Sequence, residues 1–234
     1  SHLVGLLVAA GRWEPAAAVR QRRLALLTEP DAMSFEQVRL SAIFDVVGRA
    51  DRAALHAARA LEHSPEDPST LERLDRALLR LGRHEDRLHA WGAQANADRP
   101  VPVRVAALAR AADIADRHLG RRDDALTFLR AAWSIDPSNQ EVFDALSALL
   151  AARPAAPSAA DAEHVRARID LYAQAAAAAG SPERRLAMLE KLAALWEDEV
   201  GDHPRTIEVL DQVLTAEPRH LSTILAMQHN AERA

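Results

Sequence analysis

Proline and glycine alternate along this 234-residue chain at a nearly constant interval. Prolines that follow helical patterning fall at Pro30, Pro65, Pro100, Pro137, Pro182 and Pro218, with gaps of 35, 35, 37, 45 and 36 residues. Glycines that interrupt the same patterning fall at Gly11, Gly48, Gly82, Gly120 and Gly201, each 17 to 19 residues before one of those prolines. A self-similar period of roughly 20–50 residues marks a stacked array, in which each short unit buries its apolar face only against its neighbours.

Between the marks the periodicity is helical. In 182–200 the apolar residues Leu186, Leu189, Leu192, Ala193, Trp196 and Val200 recur at steps of three and four, one face of a helix. No alternating run reads as a strand. The pattern predicts helices at 2–10, 14–28, 34–47, 50–64, 68–81, 84–97, 101–119, 122–135, 138–153, 159–180, 182–200, 203–216 and 220–233. Ser34 with Gln37, Ser69 with Glu72 and Ser138 with Glu141 have capping-box spacing, and Ser181-Pro182 places proline at a first helical position. Glycine after Val47, Leu81, Leu119 and Val200 suits a left-handed helix end. Only Arg153–Asp161, with Pro154 and Pro157, reads as a longer loop.

The second helix of each unit carries a recurrent set. After Gly48 come Ala53, Ala57, Ala60-Leu61 and Pro65; after Gly120 come Ala125, Leu129, Ala132-Trp133 and Pro137; after Gly201 come Thr206, Leu210, Val213-Leu214 and Pro218. The first helices carry Leu40-Ser41 then Phe44, Leu146-Ser147 then Leu150, and Leu192-Ala193 then Trp196. Small side chains let paired helices approach, and bulky ones fill the space beside them.

This pattern resembles the tetratricopeptide repeat over nearly the whole chain. The resemblance implies an all-α, right-handed superhelical solenoid of antiparallel helix hairpins, with about five full repeats plus partial terminal units. It is read as one domain, 1–234, with units at 1–30, 34–65, 68–100, 101–137, 138–181 and 182–218 and a partial unit at 219–234. Departures are local. Arg20 and Arg87 stand where a small or apolar residue is expected, Arg153-Pro154 replaces a glycine, and the helices 101–119 and 182–200 run one residue long.

Composition excludes several functions. With no cysteine there are no disulfides, thiolate metal sites or cysteine nucleophiles. A formal charge of −5 and the lack of repeated unassigned aromatics argue against nucleic acid as partner. No run of about 18 apolar residues exists to span a membrane. His84 and His89 are five apart, so their rings diverge by roughly 140° and do not share a zinc as a four-residue spacing would. His56 and His63 lie on an exposed-looking face, too far apart to chelate. No phosphate loop, nucleophile elbow or converging carboxylate pair is present, so neither catalytic residues, nor a metal, nor a cofactor is expected.

What remains is binding. First helices of tetratricopeptide arrays line a concave groove, and projection places Phe35, Val38, Arg39 and Asp45, then Glu72, Arg73, Arg76 and Arg80, then Arg110, Asp113, Asp116 and Arg117 toward it. Glu141, Asp144, Glu190, Glu197 and Asp198 would make the later part acidic. The candidate partner-binding residues are therefore Arg39, Arg73, Arg76, Arg80, Arg110, Asp113 and Arg117, for a protein or peptide partner of acidic character. The role expected is a non-catalytic interaction scaffold; the alternative is the sensory or substrate-recruiting arm of a larger enzyme or regulator. Lys191 is the only lysine and alanine abounds, as in a GC-rich bacterial genome, and the cytoplasm is the favoured compartment. The chain opens on Ser1-His2 without methionine and closes within an apolar-periodic run, so both ends read as boundaries inside a longer protein.

Overall fold

The computed structural model describes residues 2–151 and 160–234, and among them every regular element is a helix. The chain divides into two compact units, Ser1–Arg121 and Arg122–Ala234. Unit 1 holds α1 (His2–Ala9), α2 (Trp13–Leu24), α3 (Pro30–Val46), α4 (Ala50–His63), α5 (Pro68–Arg80), α6 (His84–Gly92) with a short 3-10 turn at Ala93–Ala95, and α7 (Val101–Arg117). Unit 2 holds α8 (Arg122–Ile135), α9 (Gln140–Ala151), α10 (Ala160–Ala177), α11 (Pro182–Ala194) continued by a π-helical turn at Leu195–Val200, α12 (His203–Ala216) and α13 (Leu221–Ala231). Within each unit every helix packs on the next in the chain, giving stacked antiparallel hairpins of the tetratricopeptide kind. The loop expected at Arg153–Asp161 lies, up to Ala159, outside the described residues. No helix among the described residues is long and apolar enough to cross a membrane.

The five periodic glycines all end first helices in the left-handed region, with φ of 68°, 78°, 66°, 65° and 73° at Gly11, Gly48, Gly82, Gly120 and Gly201. A side chain is strained there, and glycine is not. In the standard hairpins the N–H after the glycine closes on the carbonyl five residues back: Arg12 on Leu7 at 2.8 Å, Arg49 on Phe44 at 2.9 Å, Arg83 on Leu78 at 3.0 Å. In the two long first helices it reaches six back, Arg121 to Ala115 at 2.8 Å and Asp202 to Trp196 at 3.0 Å. The extra residue is thus absorbed by widening the last turn, which in 195–200 becomes a full π turn.

Proline plays two roles, of which the first-position role was expected at Pro182 and not at Pro30. Pro65, Pro137 and Pro218 follow the ends of α4, α8 and α12, but Pro30 and Pro182 occupy the first position of α3 and α11. There the missing N–H is one of the helix's unpaired donors anyway. Three expected capping boxes are not formed. Ser34 lies inside α3 and its hydroxyl donates to the Ala60 carbonyl at 3.3 Å. Asp67 caps α5, accepting from the Ser69 N–H at 3.0 Å, and Asn139 accepts from the Val142 N–H at 3.1 Å ahead of α9. In the last two cases a better acceptor one or two residues from the serine takes the role. Ser181 does cap α11, accepting from the Arg184 N–H at 3.2 Å.

The small positions are where the helices meet. Ser41, Ala53, Ala57, Ala60, Ala125, Ala132 and Ala193 are all buried, and the Ser41 hydroxyl donates across the hairpin to the Ala53 carbonyl at 2.9 Å. Unit 1 packs Leu40, Phe44, Leu74 and Leu78 about those alanines. Unit 2 packs Leu189, Leu192, Val209, Leu210 and Val213 in one cluster. It also runs an aromatic contact from Trp133 to Phe143, 5.8 Å between centroids, and edge-on to Tyr172 at 5.4 Å.

Candidate partner-binding face

The two arginines that break the repeat pattern both pair with buried carboxylates of unit 1, Arg87 itself buried and Arg20 half-buried. Arg87, five residues after Gly82 where the other units have Ala53, Ala125 or Thr206, is buried on α6. Its Nε donates to Asp75 Oδ1 at 2.8 Å and its Nη2 to Oδ2 at 3.3 Å. Arg20 on α2 donates through Nη1 to Glu36 Oε2 at 2.6 Å, and Arg23 lies 3.3 Å from the other oxygen. Asp75 and Glu36 are both buried. At both positions the facing helix supplies a buried carboxylate as the counter-charge to the long cation. Burial, the largest single influence, pushes the Asp75 carboxyl up, but hydrogen bonds from Arg87, Trp91 and Arg110 together with the Arg87 charge leave the group below the usual aspartate value.

Asp75 also binds the candidate face. Arg110 Nη2 on α7 donates to Asp75 Oδ2 at 3.2 Å, while its Nη1 lies 3.8 Å from Asp113. Arg117 Nε sits 3.0 Å from the other Asp113 oxygen. On the preceding pair of helices, Asp45 of α3 receives Arg80 at 2.5 Å and Arg73 at 3.9 Å, both from α5. The contacts Arg80 to Asp45 and Arg110 to Asp75 each span 35 residues and join successive first helices, through different repeat positions. Arg76 is exposed and its Nε approaches the Glu72 carbonyl at 3.4 Å. Arg39 lays its guanidinium over the Phe35 ring, 5.0 Å from the centroid. Five of the seven candidate residues, Arg73, Arg80, Arg110, Asp113 and Arg117, are thus tied into inter-helix or intra-helix ion pairs.

The carboxylates placed on the later first helices belong to unit 2. Glu141, Asp144 and Asp198 are exposed or half-buried there; Glu190 lies 3.4 Å from His220, and neighbouring Glu199 is paired with Arg168 at 2.5 Å. A cleft of about 450 Å³ opens between α8, α9 and α10 over Trp133, Leu146 and Leu150. Its rim alternates Arg130 and Arg166 with Glu163 and Asp170 and so favours neither sign of ligand.

The histidines divide differently from the sequence reading. His84 stacks on His118 with centroids 4.5 Å apart, and His89 is exposed, so the pair does not converge. His56, placed on an exposed-looking face, is in fact buried: its Nδ1 lies 2.6 Å from Gln37 Oε1 and its ring stacks on Phe44 at 5.3 Å. The facing helix supplies a polar partner that a single-helix projection does not reveal. Burial, then the nearby charges of Arg59 and Arg52, hold His56 below the ordinary histidine value. Among the described residues no three metal-ligating side chains converge.

No family model matches the sequence, and no curated protein does. Among solved structures, the chain is similar to a thermophilic tetratricopeptide repeat protein of Thermus thermophilus, at 21% identity over 85% of this chain and 98% of that one, with a TM-score of 0.32. It is similar to a tetratricopeptide repeat protein of Parabacteroides merdae at 12% identity over 98% and 96%, with a TM-score of 0.44. YrrB, described as a tetratricopeptide protein with an unusual peptide-binding site, matches at 11% identity over 83% and 92%, with a TM-score of 0.41. It is the chain's own hairpins, with glycine turns at one end and buried small residues at each helix crossing, that make its fold tetratricopeptide-like.

Proposed function

We propose that this chain is a non-catalytic protein-interaction scaffold, and that the face formed by α3, α5 and α7 docks an acidic segment of a protein partner. The observation that carries the reading is the guanidinium excess on that face. Arg39, Arg73, Arg76, Arg80, Arg110 and Arg117 outnumber Asp45, Glu72, Asp113 and Asp116, while Asp75 is already matched by buried Arg87. Arg80 and Arg117 are exposed and pair with only partly buried Asp45 and Asp113, and ion pairs near the surface are worth only about 0–1 kcal/mol each. A partner's carboxylates therefore exchange with the resident ones at small cost. The planar fork of arginine suits that exchange, because it takes a carboxylate with two parallel hydrogen bonds.

The test is selection from a random library of displayed peptides, with the Arg76→Glu/Arg80→Glu variant as counter-selection. The expected result is enrichment of aspartate and glutamate among peptides that bind the native chain and not the variant. A bound set without acidic bias, or tighter binding of single-stranded nucleic acid than of any peptide, would overturn it.

A further inference from the structure

Resting on the reading of α3, α5 and α7 as an acidic-partner face, we infer that the partner segment also carries a bulky apolar residue, and that α3 is where that residue docks. At about 100° per residue, Ala42 and Val46 lie about 20° to either side of Phe35 on α3, with Arg39 about 40° from it. The opposite side of this helix buries Leu40 and Phe44. Yet Phe35 is 53% and Val46 62% exposed, so α3 is apolar on two sides. The core uses only one of them.

Repeat arithmetic shows that the second stripe is particular to α3. A shift of 34 residues, Gly48 to Gly82, carries Phe35, Arg39, Ala42 and Val46 onto Ser69, Arg73, Arg76 and Arg80. A further shift of 37, which is Gly82 to Gly120 less the extra residue of α7, carries the three arginines onto Arg110, Asp113 and Arg117. Arginine therefore persists at one position across all three helices, while the Ala42 and Val46 positions are apolar on α3 and charged on α5 and α7, and the Phe35 position carries Ser69 and Ala106 there, without an aromatic ring. The Arg39 guanidinium over the Phe35 ring joins the two characters, presenting a cation and an aromatic edge at one place.

The occupant that complements this surface is an extended peptide with a bulky apolar residue at one end and carboxylates following it. Packed helices lie about 8–10 Å apart, and an extended chain advances about 3.3 Å per residue. The apolar residue on α3 and the first carboxylate on α5 are then about three positions apart, with a second carboxylate about three further on for α7. An acidic segment without the apolar residue would meet the arginines but leave Phe35 in water.

Fluorescence anisotropy with three synthetic peptides tests this: one with phenylalanine and two glutamates at that spacing, one with the phenylalanine replaced by alanine, and one with both glutamates replaced by glutamine. The expected result is about tenfold tighter binding of the first peptide than of the second. Phe35→Ala should erase that difference, and Phe35→Leu should restore most of it; circular dichroism checks the fold of both variants. Equal binding of the first two peptides, or a difference that survives Phe35→Ala, would overturn the anchor and leave the acidic-partner reading standing. If the glutamine peptide binds as well as the first, or none binds, the acidic-partner reading falls and the anchor with it.

Discussion

The two units solve the same packing problem with different chemistry. At the fifth position after the turn glycine, unit 1 has Arg87, buried and held by Asp75; unit 2 has Thr206, buried with its hydroxyl donating to the Asp202 carbonyl at 2.9 Å. Elsewhere unit 1 buries a second carboxylate, Glu36, against Arg20, while unit 2 fills its interior with Trp133, Phe143 and Tyr172. No charged side chain among the described residues of unit 2 is fully buried. The difference shows that the hairpin repeat tolerates a large cation at a crossing position when the neighbouring helix supplies its counter-charge. It also connects interior to surface, because Asp75 is shared between buried Arg87 and exposed Arg110.

Substitution at the paired positions should break this comparison most. Arg87→Met strips a buried carboxylate of its main partner and should destabilise unit 1 by about 3–5 kcal/mol. Amide hydrogen exchange on the full chain would show the loss in α5 and α6. Adding Asp75→Leu should recover most of it, since an apolar pair of similar volume is often as stable as the ions. The turn glycines come next and should not distinguish the units: no atom lies within 4 Å of a Cβ built at Gly48 or Gly201, so alanine there strains the backbone alone. Each variant should lose about 1–2 kcal/mol, read from urea denaturation. Thr206→Val removes one hydrogen bond from unit 2 and should cost about 0.5–1.5 kcal/mol.

The smallest effect is on pH. His56 titrates below its unfolded value, so the unfolded chain binds more protons in that window. Its contribution is fully present above the unfolded value, about 6.5, and is lost as pH falls toward the folded one. Denaturation midpoints measured between about pH 7.5 and 5.5 should therefore decline, and His56→Gln should flatten the decline. Asp75, also lowered, acts the same way in a more acid window, below about 3.9.

Much of this fold was legible in the sequence, because its period is written in residues with strong backbone preferences. All five glycine turns lie where the spacing put them, and the small residues of the repeat are where the helices cross. The caps were less legible. Ser69 and Ser138 have the right spacing, but Asp67 and Asn139 nearby are alternative acceptors, and spacing alone does not rank them. Buried His56 and Asp75 were missed for a different reason: each is polar, and its burial depends on a partner one helix away. For Asp75 a signal existed, since Arg87 stood out as the wrong residue for its position. A residue that violates a packing pattern asks for a partner on the facing helix.

The central claim, that the arginine face of unit 1 docks an acidic protein segment, is tested most directly by one titration. A fluorescent peptide rich in glutamate is titrated with the native chain and with Arg76→Glu/Arg80→Glu, the fold of both checked by circular dichroism. The expected result is a loss of affinity of about tenfold or more on reversal of the two charges. Unchanged affinity in a folded variant would contradict the claim.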